Sequence, residues 1–209
     1  MMQQARQVMA LGMKAGRQGG GVLGLAAAAL LLAACASTAP NALYGLNAPS
    51  DFVSGQKRSV QILVATPRAL SALDTSNIAV VDRGPSYSYF PQAAWADQLS
   101  NVVQAGLVRT LENTNRLKGV GLPGEGLLID YQLQTELRAF QLQVDGADRA
   151  VVEIAAKLVN DRNGRTVDSR VFSAVVPSNG TGVEQAVAAM NSASGQVFRE
   201  LAAWVLSKV

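Results

Sequence analysis

The chain has 209 residues, 18 Lys and Arg against 15 Asp and Glu, one Cys, no His and a formal charge of +3. With 49% of residues hydrophobic, it is no disordered chain, and its length fits one domain, or one domain with an appendage. A single Cys cannot close an internal disulfide, the lack of His closes most metal sites and Ser–His or Cys–His pairs, and no Lys/Arg cluster of the kind nucleic acid requires is present.

The excess charge sits at the front. Residues 1–34 carry Arg6, Lys14 and Arg17 and no acid, so residues 35–209 are formally neutral. An apolar run from Val22 to Ala34 follows, broken only by Gly24. It is too short for the roughly 20 residues that span a bilayer. A basic start, a short apolar stretch and small residues before a cut site describe a secretory signal peptide over 1–34. Leu32-Ala33-Ala34-Cys35 resembles the lipobox of bacterial lipoproteins. That resemblance implies cleavage before Cys35, acylation of its thiol and of the new amine, and so attachment to a membrane. Several acyl chains anchor stably where one binds marginally, at about 0.8 kcal/mol per buried CH₂. Residue 36 is Ala, not the Asp that retains many enterobacterial lipoproteins in the inner membrane, which favours the outer one. Met1 and Met13 both remain open as the start. Residues 35–41 then read as a lipidated tether, small, polar and Pro-containing. The six residues after Cys35 reach about 20 Å when extended. Residues 42–209 read as one domain.

Within that domain, Ala42–Leu46 is a candidate short strand. Ser59–Ala65 is rich in branched apolar residues and stops before Pro67, as a strand does. Asn77–Asp82 is another, ended by Arg83-Gly84-Pro85, and Tyr87–Phe90 is a short aromatic strand. Ala93 to about Asn113 reads as a helix, with Pro91 near its start and Trp95, Leu99, Val103, Leu107 and Leu111 recurring on one face. Gly119–Gly126 reads as a loop. Leu127–Val144 alternates like a half-buried strand, with apolar positions odd up to Ala139 and even from Phe140. That switch of phase requires an extra residue, hence a bulge near Ala139. Ala150–Val159 alternates again, Asp161-Arg162-Asn163-Gly164 is a turn, and Val167–Val176 is the returning strand of an antiparallel meander. Thr181-x-x-Glu184 fits a capping box opening a last helix. The expected architecture is α/β: a mixed β-sheet of about six strands with two main helices packed on it, in the order β-β-β-α-β-β-β-α.

Chemistry is hard to find. No phosphate-cradling Gly-x-x-x-x-Gly-Lys motif occurs. Asp145 and Asp148 stand close together, but in Asp-Gly-Ala-Asp, where a hairpin turn expects Asp and Gly anyway. Gly119-x-Gly121-x-x-Gly124 precedes a strand and does not open a helix, so the dinucleotide-binding context fails. The expectation is therefore no catalytic residue, no metal and no cofactor. One cluster stands out in a chain only 5% aromatic: Tyr87, Tyr89, Phe90 and Trp95. Trp95 reads as a core anchor, whereas Tyr87, Tyr89 and Phe90 are candidate partner contacts, since Tyr offers a large rigid contact area.

The lipobox, Tyr44-Gly45-Leu46, Val60–Val64 ending at Pro67, Ile78-Ala79-Val80, Trp95-Ala96-Asp97-Gln98-Leu99, Leu128-Ile129-Asp130-Tyr131 and Leu137-Arg138-Ala139-Phe140 together resemble the ABC-type transport auxiliary lipoprotein family. The resemblance implies a layered α/β domain and no catalytic residues. It also implies an outer-membrane-anchored lipoprotein facing the periplasm. Its partner would be a subunit of a mammalian-cell-entry-type transport system moving lipids or other hydrophobic molecules. Only Cys35 carries over as a site, for lipid attachment. A homo-oligomer fits this reading and the sequence leaves it open. Two alternatives are an envelope assembly or structural lipoprotein, and a carrier that binds lipid itself.

Overall fold

The structure, a computed structural model, describes residues 40–209. The expected signal segment, Cys35 and the tether up to residue 39 lie outside the described residues. The strands are β1 (Ala42–Tyr44), β2 (Arg58–Val64), β3 (Arg68–Ala69), β4 (Asn77–Val81), β5 (Tyr87–Trp95), β6 (Leu117–Gly121), β7 (Tyr131–Gln143), β8 (Arg149–Asn160) and β9 (Thr166–Pro177). The helices are α1 (Leu99–Asn113), between β5 and β6, and α2 (Val183–Lys208), after β9.

β7 is the spine of the sheet. It pairs antiparallel with β8 along its whole length, from Tyr131↔Asn160 to Gln143↔Arg149. Its other edge is shared by three strands, all parallel to it: β2 at Ile62↔Tyr131, β3 at Arg68↔Glu136 and β4 at Val80↔Leu142. Beyond β4 the sheet continues through antiparallel β5 to β1, and beyond β2 to parallel β6. On the far side β9 pairs, among the described residues, with β8 alone. The register of β7 shifts between Leu137 and Ala139, where the change of apolar phase required a bulge. Leu133 and Leu137 before it, and Phe140 and Leu142 after it, are thereby all buried. The meander β7–β8–β9 forms as its alternation indicates.

The sheet is mixed and carries two helices, but it has nine strands, with five before α1 and four between the helices, so the expected order is corrected. β3 is two residues long, too short to leave an alternation. β6 runs through Gly119 and Gly121, a stretch expected to be loop. Pairing with β2 overrides the poor strand propensity of glycine there, and Gly119 leaves room for the Gln61 side chain. Residues 93–95 are strand, not helix. Pro91 and Gln92 sit in an irregular stretch of β5, opposite a register shift in β4, where a missing N–H is harmless. Gln92 has φ 56°, and its carbonyl accepts the Asn41 N–H at 2.7 Å. The helix starts only after Asp97, whose carboxylate accepts the Gln98 N–H and the Asn101 amide. The expected capping box at the start of α2 is also corrected. Its N-cap is Gly182 with no side-chain cap bond, because the chain turns at Gly180 (φ 131°) and enters the helix one residue late. Glu184 then falls one position short of the box, though it still complements the helix N-terminus.

Both helices lie on one face of the sheet, α1 over β2 and β6, α2 over β7, β8 and β9. Trp95 and Phe140 are fully buried and meet edge to face, ring centroids 5.6 Å apart. Phe172 and Trp204 repeat that geometry between β9 and α2. Phe198 of α2 faces Gly106 of α1, where only a hydrogen occupies the space a Cβ would need.

Candidate interaction surfaces

Of the expected contact residues, Tyr87 and Phe90 are half-buried and pack on the core, and Tyr89 is 39% exposed. Tyr87 stands opposite Val81 and Tyr89 opposite Ala79, both buried, so one side of each ring is covered. The Tyr89 hydroxyl donates to the Ala72 carbonyl at 3.0 Å, tying the 71–76 turn to β5. Each ring of the group therefore has a structural task, and Tyr89 alone keeps appreciable free surface. Trp95 is the core anchor its spacing indicates.

An open groove of about 490 Å³ runs between segment 47–51 and α2. The Asn191 carboxamide accepts the Asn47 N–H at 2.8 Å and donates to the Gly45 carbonyl at 3.3 Å. Arg199 pairs with Asp51 at 3.0 Å, and this guanidinium holds the Asp51 carboxyl below the usual carboxylate range. A second, mostly apolar notch of about 270 Å³ lies where Val176 and Pro177 meet Gln185, Ala188 and Ser192 of α2.

No charged cluster of catalytic form assembles around either groove. Asp145 pairs with Arg149 at 2.9 Å and accepts from Gln143, the bonds of a hairpin end. Among the described residues no group of three His, Cys, Asp or Glu is placed to hold a metal ion. No described helix is long and apolar enough to cross a membrane. Asp130, one of the motif residues that carry the family resemblance, has a structural task. Asp130 accepts the Gln61 N–H at 3.0 Å and pairs with Arg162 at 2.9 Å, and these bonds, the Gln61 N–H foremost, keep its pKa low. They lock the start of β7 to β2 and to the β8–β9 turn.

A family model described as ABC-type transport auxiliary lipoprotein component matches residues 44–202, from the end of β1 to the last turns of α2. The chain belongs to this family. Among similar proteins, an uncharacterized protein of Bradyrhizobium diazoefficiens, bll6063, is 28% identical over 169 residues, covering 79% of this chain and 45% of that protein. The chain thus spans about half the length of this curated relative. The crystal structure of XCC0632 from Xanthomonas campestris superposes with a TM-score of 0.70 at 26% identity, covering 82% of this chain and 96% of that one. CT253 from Chlamydia trachomatis, at 10% identity and TM-score 0.53 over 72% of this chain and 98% of that one, shares the fold.

In this auxiliary lipoprotein the feature that sequence reading passed over is the outer strand β9. Its residues alternate between Phe172 and Ala174, buried under α2, and Val167, Val171 and Val175, which are 41%, 46% and 57% exposed. The alternation was legible in the sequence. That β9 ends the sheet was not, because edge position is a property of the topology.

Proposed function

We propose that this chain is an outer-membrane lipoprotein, anchored through acyl groups on Cys35 and facing the periplasm. There it is a non-catalytic accessory component of a mammalian-cell-entry-type transport system for lipids or other hydrophobic molecules. Membership of the auxiliary lipoprotein family over 44–202 carries this reading. The lipobox-like Leu32-Ala33-Ala34-Cys35 supports the anchor. A docking role suits the interior better than a carrier role. The space between sheet and helices is filled by Trp95, Phe140, Phe172 and Phe198, each fully buried, which is the close packing of a solid core.

Purification of the intact lipoprotein from gently solubilised membranes tests the partner. A transporter subunit should come with it, and recovery of no envelope transport protein overturns the assignment. The anchor is tested separately: Cys35→Ala should leave an uncleaved, unlipidated precursor. A processed outer-membrane species from that variant would contradict the anchor at Cys35.

A further inference from the structure

We infer that the outer edge of β9 is a self-association surface, and that its partner is a second copy of this chain joined antiparallel, β9 to β9, about a two-fold axis at Val171. Among the described residues β9 pairs only with β8, so one row of its backbone N–H and C=O groups is open to a further strand. Long open edges are normally blunted by charge, Pro or a bulge. β9 runs twelve residues, its only Pro is the terminal Pro177, and its one register shift lies at the start, where Val167 is the extra residue between Thr166 and Asp168. The face turned away from the helices reads Val167, Ser169, Val171, Ser173, Val175, without a charge.

That face is a palindrome. With Val171 opposite its own copy, Ser169 meets the partner's Ser173, and Val167 meets the partner's Val175. Every cross-strand pair on the face is then Val–Val or Ser–Ser, both favourable pairings. On the helix side the same register sets Asp168 opposite Ala174 and Arg170 opposite Phe172. Arg170 stacks over the Phe172 ring of its own chain at 5.1 Å, and the register sets no like charges opposite one another on this side. Neighbouring registers fail. Sliding the pairing by one residue sets the outer face of one copy against the helix side of the other; sliding it by two sets Val against Ser along the outer face, and one of those two shifts places Arg170 directly opposite Arg170, which like charges disfavour. An isologous pairing needs a surface complementary to itself, and this register supplies one on the outer face of β9. It does not depend on which transport partner the protein serves.

The test uses full-length protein in mild detergent, with single cysteines in β9. Antiparallel neighbours stand about 4.5 to 5.5 Å apart at Cα, within disulfide reach. Val171→Cys should form a disulfide-linked dimer with itself. Val167→Cys and Val175→Cys should each form no disulfide alone and crosslink to one another when differently tagged copies are mixed. Ser173→Cys should not crosslink to itself, and the parent chain, whose only thiol is Cys35, reports any disulfide through that residue. Val171→Lys, which places two ammonium groups at the axis, should weaken dimerisation at least tenfold by light scattering. The inference is overturned if the parent chain stays monomeric and Val171→Cys keeps free thiols. It is equally overturned if association survives Val171→Lys unchanged, or if cysteines in β9 capture another envelope protein and never their own copy.

Discussion

Gly106 shows how much one hydrogen atom settles in this fold. In a helix interior Ala is normally better than Gly by about 1 kcal/mol, so sequence reasoning alone would favour the replacement. A Cβ at 106 would stand 2.6 Å from Cε2 of Phe198, a ring that is fully buried and held on every side. We expect Gly106→Ala to destabilise the protein by about 1–3 kcal/mol, the usual cost of overpacking, seen as a lower denaturation midpoint with unchanged slope. At this scale the sequence was legible where a residue's neighbours lie close in the chain, as with the bulge near Ala139. It was silent on Gly106, whose partner lies on the other helix. Cys35, the most specific single residue in the sequence, lies outside the described residues.

The contact of α2 with β9 is fixed at its C-terminal end by Asp168, whose carboxylate accepts from the Trp204 indole at 3.0 Å and pairs with Lys208 at 2.8 Å. The Lys208 ammonium foremost, and then the Trp204 N–H, lower the Asp168 pKa from 3.8 to about 2. A carboxyl whose pKa is lower folded than unfolded adds stability above its unfolded value, and that contribution fades as the pH falls toward the folded value. Melting temperature should therefore drop as pH falls from about 4 to about 2, and Asp168→Asn should differ most from the parent above pH 4 and converge with it in acid. A constant difference across that range would remove Asp168 from the account. Elements built on strong periodicity were legible, among them β2, β4, β7, β8, β9 and most of both helices. The start of α1 was not. Trp95 lies four residues before Leu99, a spacing that suits a helix face, yet a strand end leading into a helix buries the same two side chains. β6 was invisible for a different reason, since its pairing with β2 draws on residues far away in the chain.

At the scale of the molecule, the family assignment and the mixed α/β architecture were both legible, whereas the count and order of strands were not. The short β3 and the glycine-rich β6 become strands only because β7 and β2 lie beside them. The same dependence makes the front half of the domain incomplete alone. Residues 40–130 contain β1 to β6 and α1 but lack the strand on which β2, β3 and β4 all line up. A chain ending at residue 130 should give a disordered far-ultraviolet circular dichroism spectrum and unprotected amide exchange. Protected amides in β2 or β4 of that fragment would contradict this.

The shared edge of β7 also sets a timetable. β2, β3 and β4 are made first, but the strand on which all three line up is encoded about sixty to seventy residues later, and although β4 can pair early with β5, the pairings that close the sheet are long-range ones. Chains dominated by such contacts fold slowly, because loop closure must precede any gain in pairing. Synthesis proceeds from the N-terminus, so the sheet stays incomplete until β7 has been delivered. For a protein destined to be threaded across a membrane behind a signal segment, as proposed above, that delay is useful. The topology itself postpones folding until most of the chain has been made.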